Sequence, residues 1–301
     1  MSTTKHHWLK PHHLILAIGI NAVWGLNLVT SKLGVHEIPP VLFVALRAIL
    51  LALFCAPWLR WFPGQMRNIF GVAMGTGAGG FGFLVLGLSV AKDVSTVAIF
   101  SQLIVPFATL FSVIFLGEVI HWRRITGITL AFLGVFIIGF DPRAFSYLAG
   151  LLCVVLHATS AASGMIFIKR LHGVSPMQLQ AWIGLFTMPV MIALSLLLET
   201  NQVPAIQHAS LTAWGAVAFA VLGSSLAAQT VLFYLLRHYP VSSVAPLNVL
   251  STLFGALFGV LINHDVLTSR MIAGGIVTLA GVLIIELRTK KMFIAANDKS
   301  Q

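Results

Sequence analysis

One arginine lies inside a long apolar run of this 301-residue chain. Arg47 follows Pro40 by seven positions, roughly 10 Å along a helix at 1.5 Å per residue. A charged side chain at such depth in a membrane is costly unless it is paired or faces water, so it marks a functional site by default. No acid lies within an apolar run. We predict that Arg47 meets backbone carbonyls, Asn27 or the carboxylate of a small ligand; a structural tie between helices or snorkelling to headgroups is the alternative.

Polar and aromatic side chains in other apolar runs are predicted to line a cavity with Arg47. Trp24 and Asn27 are three residues apart and share a helix face. Pro106 frees a backbone carbonyl one turn back, an irregularity tolerated at membrane depth where it lines a cavity or is packed against neighbours. The predicted substrate-binding residues are Trp24, Asn27, Arg47, Gln102, His157, Gln229 and Asn248, and the predicted hinges are Pro106 and Pro246.

Other kinds of chemistry find little support. A histidine at the depth of His157 relays a proton, binds a carboxylate or makes a hydrogen bond between helices, and we favour the hydrogen bond. Cys55 and Cys153 are isolated, which argues against a disulfide framework or a metal site. The glycines at 71–87 lack the Gly-Lys-Ser/Thr of a phosphate loop, and their spacing predicts close helix packing instead. We predict no catalytic residue, no cofactor and no metal.

These side chains must be held by helices that cross a membrane. Charged residues make up 9% of the chain and apolar ones 58%, against roughly 25% charged in soluble domains. The apolar runs approach the roughly 20 residues that a bilayer requires. We predict an all-α polytopic membrane protein with ten spans, near Leu14–Gly34, Pro40–Leu59, Ile69–Ala91, Val94–Leu116, Ile125–Phe140, Tyr147–Lys169, Met177–Glu199, Leu211–Leu236, Val241–Ile262 and Met271–Leu287.

The basic residues predict the orientation of the spans. With the amino terminus inside, 13 of the 18 Lys and Arg residues fall in inside segments, four fall in outside ones, and Arg47 lies within a span. Because positive charge is enriched in cytoplasmic loops, both termini are predicted to be cytosolic. The formal net charge of +10 is spread over short clusters between apolar runs, so we do not expect nucleic acid as a partner.

The chain contains a long internal repeat. A shift of 147 positions places Val94–Ile138 over Val241–Ile285 with 17 of 45 positions identical, and Glu118 falls on Asp265. Five predicted spans separate the copies, so the second must enter the bilayer upside down. We predict inverted five-helix repeats at 14–140 and 147–287 between tails at 1–13 and 288–301, an architecture typical of secondary transporters with a midplane site. The symmetry fails at Pro106/Leu253 and Gly117/His264.

Several motifs resemble one known family. Trp24-Gly25-Leu26-Asn27, Pro39-Pro40 and Arg47 resemble the opening signature of the EamA-type drug/metabolite transporters, and Leu116-Gly117-Glu118 resembles its fourth-span signature. Val244-Ala245-Pro246-Leu247 is similar to the cysteine/O-acetylserine exporter branch. The resemblance implies ten helices, cytosolic termini, a central cavity and export of small metabolites, often amino acids or their derivatives. The chain departs from it at Ile262–Asp265, where Leu-Gly-Glu is usual.

Together these features predict a secondary transporter of the bacterial inner membrane. It would export small organic metabolites, foremost amino acids or their derivatives, by alternating access. Its partners would be the substrate and the lipid bilayer, with proton coupling and facilitated diffusion both open, and it would act as a monomer or weak homodimer. The alternatives are a multidrug or nucleotide-linked carrier of the same superfamily, an integral membrane enzyme acting on lipids, for which paired acids are missing, and a membrane scaffold.

Overall fold

A computed structural model describes residues 10–117, 122–239 and 244–298, and all regular structure within them is helical. The helices are α1 Pro11–Val35, α2 Pro40–Cys55, α3 Met66–Val90, α4 Val94–Leu116, α5 Trp122–Gly139, α6 Leu148–Ile168, α7 Pro176–Leu198, α8 in three parts (Leu211–Ala218, Phe219–Ala228 and Gln229–His238), α9 Val249–Asn263 and α10 Ser269–Asp298. Short helices at Pro142–Phe145 and Gln202–His208 join α5 to α6 and α7 to α8.

The helices have the lengths and composition of a polytopic membrane protein. Among the described residues, seven segments are long and apolar enough to cross a membrane. They lie in α1 to α4 and α6 to α8, and the segment of α2 continues through the 3-10 turn Ala56–Trp58; α5, α9 and α10 contain shorter apolar segments. This confirms the predicted fold class. The 3-10 turn Ala245–Asn248 precedes the ninth helix at Val249, and the predicted start of that span at Val241 lies outside the described residues. Pro246 lies in that turn, where its missing amide hydrogen costs least.

Glycines bring α5 and α10 into close contact. A Cβ atom on Gly274 would lie 2.6 Å from the carbonyl oxygen of Gly134, and one on Gly281 would lie 2.6 Å from that of Gly127. Small residues let helix backbones approach in this way. Under the 147-residue shift Gly127 corresponds to Gly274 and Gly134 to Gly281. Gly134 therefore contacts Gly274, the counterpart of Gly127, and Gly127 contacts Gly281, the counterpart of Gly134. A two-fold relation between α5 and α10 requires this exchange.

Backbone irregularities also recur at the same shift. The middle of α3, Ala73–Phe81, is π-helical, and so is the middle of α8, Phe219–Ala228. Gly117 and His264 end α4 and α9 in the left-handed conformation, with φ of 66° and 55°. The predicted loss of symmetry at Gly117/His264 is therefore confined to the side chain, because the backbone turn is the same in both places.

One end of the bundle, the acidic end, gathers Glu37, Asp93, Asp141, Glu199 and Asp265. Asp93 pairs with the Arg143 guanidinium at 3.1 Å. The Asp265 carboxylate accepts hydrogen bonds from the amide and the hydroxyl of Ser95, both at 2.6 Å. Ser95 lies in the first turn of α4, where a carboxylate is favoured by the unpaired amides and the helix dipole. These contacts tie the loops of both halves together.

Further bonds close the same end. Glu199 accepts hydrogen bonds from the backbone amides of Val41 at 2.7 Å and Leu42 at 2.9 Å, at the start of α2. Asp141 accepts from the Thr268 hydroxyl at 2.6 Å. Burial by itself raises the pKa of Asp141, but hydrogen bonds from Thr268 and neighbouring backbone amides outweigh it and lower the pKa. The acid groups are therefore tied to helix starts and loops at this end.

Candidate functional site

Arg47 is buried in α2 without a carboxylate beside it. Its side chain is 9% exposed. Nη2 donates to the Ser225 hydroxyl oxygen at 2.7 Å, and the guanidinium carbon lies 4.0 Å from the centre of the Phe81 ring. Every acid whose side chain the structure describes lies at the acidic end. Arg47 is thus held by a hydroxyl and a ring face, a geometry that favours a cation. Asn27, one of the three partners that the sequence suggested, makes no hydrogen bond with it among the described residues.

The π-helical part of α8 provides two of these contacts from adjacent residues. The Ser225 hydroxyl donates to the carbonyl of Ala220 at 2.8 Å, so a lone pair of its oxygen faces Arg47. The carbonyl of the preceding residue, Ser224, accepts from Trp24 Nε1 at 3.3 Å. Through α8 the structure therefore brings together Trp24 of α1 and Arg47 of α2, both predicted site residues.

The π-helical part of α3 extends the site toward α6. Phe81, under the Arg47 guanidinium, follows Gly80, whose carbonyl lies 2.7 Å from His157 Nδ1. A carbonyl only accepts, so Nδ1 carries the proton and donates it to Gly80. His157 is 8% exposed. This geometry agrees with the favoured interpretation of His157 as a hydrogen bond between helices.

Gln102 makes a second polar contact, between α4 and α9. It lies at a break in α4 and donates through Nε2 to the hydroxyl of Thr252. Pro106 has no amide hydrogen to offer the Gln102 carbonyl one turn back. That carbonyl accepts instead from the Val105 amide at 3.1 Å in a 3-10 turn. The carbonyl that Pro106 was expected to leave free is therefore paired.

The remaining predicted residues lie in α8 and in the 3-10 turn before α9. Gln229 follows the π-helical part of α8 directly and is half-buried. Asn248 ends the 3-10 turn before α9, and its side-chain oxygen is buried without a hydrogen-bond partner among the described residues. The backbone of Pro246 lies in that turn, but its side chain falls outside the described residues.

Five buried side-chain atoms have no hydrogen-bond partner within the part of the chain that the structure describes: Asn21 Oδ1, Asn27 Oδ1, Ser31 Oγ, Arg47 Nε and Asn248 Oδ1. Buried polar atoms are nearly always paired, so each of these needs an explanation. Sequence reasoning named Asn27, Arg47 and Asn248 as site residues but missed Phe81 and Ser225 as the neighbours of Arg47. The signal available was the Ser224-Ser225 pair inside an apolar run.

A cleft of about 300 Å³ opens between α4, α6 and α10. Thr109 and Ser112 of α4 line it with apolar side chains from all three helices, and Lys169 lies at the end of α6 farther from the acidic end. A volume of this order is at the small end of the range for small-molecule sites. Within residues 10–117, 122–239 and 244–298, no three His, Cys, Asp or Glu side chains converge as a metal site requires.

The sequence profile of the EamA-like transporter family matches residues 13–140 and again residues 148–287. The chain belongs to the EamA-like transporter family. A protein named "Probable amino-acid metabolite efflux pump" from Escherichia coli (strain K12) is 24% identical over 278 residues, 90% of this chain and 93% of the relative. The Salmonella typhimurium protein of the same name is 26% identical over 282 residues, 89% of this chain and 93% of the relative.

A solved crystal structure shares the fold. It matches this chain with a TM-score of 0.58 over 94% of this chain and 99% of that one, at 18% sequence identity. The family match confirms the resemblance to the EamA-type transporters as a family, without singling out the cysteine/O-acetylserine exporter branch. With the apolar helices it identifies a multi-pass membrane transporter.

Proposed function

We propose that this transporter exports amino acids or their derivatives across the bacterial inner membrane. The observation that carries the proposal is Arg47, a buried cation that no described carboxylate neutralises and whose Nε has no partner. The names of two relatives, probable efflux pumps for amino-acid metabolites, support the same substrate class. The carboxylate of the substrate would then complete the hydrogen bonds of Arg47.

The other residues of the site would shape the cavity around that carboxylate. Ser225 fixes the guanidinium, and Phe81 lies under it. Trp24 would form an aromatic wall beside the same part of α8, because it donates to Ser224. Asn27, Gln102, His157, Gln229 and Asn248 would line the cavity, with Pro106 and Pro246 as hinges.

We further propose two inverted five-helix halves that work by alternating access, with both termini in the cytosol. The acidic end would face the periplasm, and its hydrogen bonds would keep that side closed. The cleft near Lys169 would then open toward the cytosol, which suits the loading step of an exporter. The transporter would act as a monomer or weak homodimer, and counterflow measured with and without a proton gradient would separate proton coupling from facilitated diffusion.

Counterflow of labelled L-amino acids into proteoliposomes tests the role of Arg47. Charged hydrogen bonds contribute about 1.5–3 kcal/mol, so Arg47→Gln should reduce exchange by about 10- to 150-fold. Arg47→Lys should retain part of it, since the charge stays but the planar fork is lost. The matched control is Arg60→Gln, which removes an exposed arginine. If Arg47→Gln folds normally and exchanges as well as the wild type, Arg47 does not bind substrate.

A further inference from the structure

One face of α1 is directed toward the junction of α2 and α8, where Arg47 donates to Ser225. Trp24, Asn27, Ser31 and Gly34 are spaced three, four and three residues apart and therefore share a face. At one end of this stripe, Trp24 donates to the Ser224 carbonyl. At the other end, Gly34 packs closely on Phe43 of α2 and Ala216 of α8. A Cβ atom added to Gly34 would overlap the Phe43 ring and lie 3.0 Å from the Cβ atom of Ala216. Asn27 and Ser31 thus face α2 and α8.

Arg47 belongs to the same junction. It lies one helical turn beyond Phe43 on α2, and it donates to Ser225, the neighbour of the Ser224 that Trp24 contacts. The side of α1 that carries Asn27 and Ser31 is therefore bounded by contacts with the two helices that position Arg47. Asn27 and Ser31 are 5% and 1% exposed.

The unpartnered atoms at this junction are of opposite kinds. Arg47 Nε is a donor, whereas Asn27 Oδ1 and Ser31 Oγ are oxygens able to accept. Leaving such atoms unsatisfied costs about 1–3 kcal/mol each. A ligand that satisfies all three must carry acceptors at one end and donors at the other. A carboxylate offers only acceptors and an ammonium group offers only donors.

We propose that Asn27 and Ser31 accept hydrogen bonds from the ammonium group of a free α-amino acid whose carboxylate binds Arg47. The inference rests on the proposed function and adds the recognition of the amine. The charges of Arg47 and an ammonium group repel, so an amine without a carboxylate is rejected. An N-acylated amino acid keeps the carboxylate but has a single uncharged N–H where the two oxygens require two donors, and it is rejected for that reason.

Competition in counterflow tests the amine requirement on the wild-type protein. A panel of labelled L-amino acids first identifies one that exchanges. Its N-acetyl derivative, its deaminated acid and its decarboxylated amine then compete with it at equal concentration. We expect the free amino acid to compete at least about 10-fold better than each analogue, the loss that one 1.4 kcal/mol contact produces. Equal competition by the N-acetyl derivative overturns the inference.

Single substitutions test whether Asn27 and Ser31 cause the preference for the free amino acid over its N-acetyl derivative. Asn27→Ala and Ser31→Ala should each lower the preference for the free amino acid over its N-acetyl derivative by at least about 3-fold, whereas Asn21→Ala should not. Asn21 is the matched control because its buried Oδ1 is also unpartnered, about 120° around α1 from Asn27. A preference unchanged in both stripe variants overturns the inference. If Asn27→Ala fails to elute as folded protein, Ser31→Ala decides.

Two further outcomes distinguish a failure of this inference from a failure of the proposed export function. If no amino acid of the panel exchanges, the proposed function fails and the inference fails with it. If amino acids exchange without discrimination against N-acetylation, only the inference fails. Replacing sodium by choline on both sides should leave exchange unchanged. A sodium requirement that Asn27→Ala abolishes overturns the inference, because the oxygens would then bind the metal ion.

Discussion

The π-helical segments of α3 and α8 occupy equivalent positions under the 147-residue shift and serve different ends. In α3 the segment is rich in glycine, and it packs against α6 and α7: a Cβ atom on Gly75 would lie 2.6 Å from the backbone of Gly164. In α8 the counterparts of Gly77 and Ala78 are Ser224 and Ser225, which contact Trp24 and Arg47.

The difference teaches how one backbone irregularity supports two roles. In α3 the carbonyls of Gly75 and Gly80 accept from side chains of α6, Ser160 at 3.0 Å and His157 at 2.7 Å, so the segment fastens helices together. In α8 a hydroxyl is turned toward a buried cation. We infer that the α3 segment is structural except at its last residue, Phe81, which lies under Arg47, and that the α8 segment acts on the substrate through Arg47.

The largest expected effect is on folding, from Gly75→Ala. The added methyl group would meet the Gly164 backbone, which cannot move aside as a flexible side chain can. Overpacking of this kind costs about 1–3 kcal/mol. Gly223→Ala in the α8 segment should cost less, since the nearest atoms to its Cβ belong to the Phe219 ring, at 3.1 Å and beyond, and a side chain can shift. Thermal unfolding of the purified variants compares the two, with Gly19→Ala as a control at an open position. Equal losses of stability from Gly75→Ala and Gly223→Ala would mean that the two segments do not differ in how tightly they pack.

The next effect concerns His157→Phe, which removes the hydrogen bond to the Gly80 carbonyl and leaves that carbonyl buried without its side-chain partner. A loss of about 1–3 kcal/mol of stability is expected. We expect the KM for exchange to change little although His157 would line the cavity, because its Nδ1 donates to a helix carbonyl and not to the substrate. A variant of wild-type stability that loses proton-driven transport would contradict this and make His157 a proton relay.

Ser225→Ala should act in the opposite sense, on transport more than on stability. The variant frees Arg47 Nη2 from its fixed position. At about 1 kcal/mol for one hydrogen bond, KM should rise about 5-fold. Ser224→Ala is the matched control, because only the backbone carbonyl of Ser224 binds Trp24 and the substitution preserves it. If both serine variants raise KM equally, the contact with Arg47 is not the cause.

Much of the fold could be predicted because apolar composition and repeat spacing act over whole helices. Within the described residues, the apolar helices, the close packing at glycines and the isolation of Arg47 from acids all follow from residue types. The partners of Arg47 could not be predicted, since they depend on how α2, α3 and α8 rotate against one another. The π-helical segments were also missed, because one extra residue in a turn leaves almost no trace in an apolar sequence. The Gln102 carbonyl was predicted to be free, but local backbone adjustment pairs it with Val105.

The smallest expected effect concerns the start of α8 and the end of α3, which both lie at the acidic end. α8 begins beside Glu37, whose carboxylate accepts from the Ser210 amide and hydroxyl, both at 2.7 Å. The end of α3 is held instead by Lys32, which donates to the Ala91 carbonyl at 2.8 Å. The bonds from Ser210 lower the pKa of Glu37. Its contribution to stability is therefore complete above the unfolded value of about 4.3 and is lost as the pH falls through the lower folded value.

Glu37→Gln should accordingly reduce the thermal stability by a small and constant amount between about pH 5 and pH 8. The difference from wild type should shrink below about pH 4 and vanish once the wild-type carboxyl group is protonated. The difference caused by Lys32→Met should not follow the titration of Glu37, because Lys32 donates to the Ala91 carbonyl and the carboxylates that interact with it are those of Asp93 and Asp265. A Glu37→Gln difference that stays constant down to pH 3 would mean that the carboxylate is not what holds the start of α8, and the two helix ends would no longer differ.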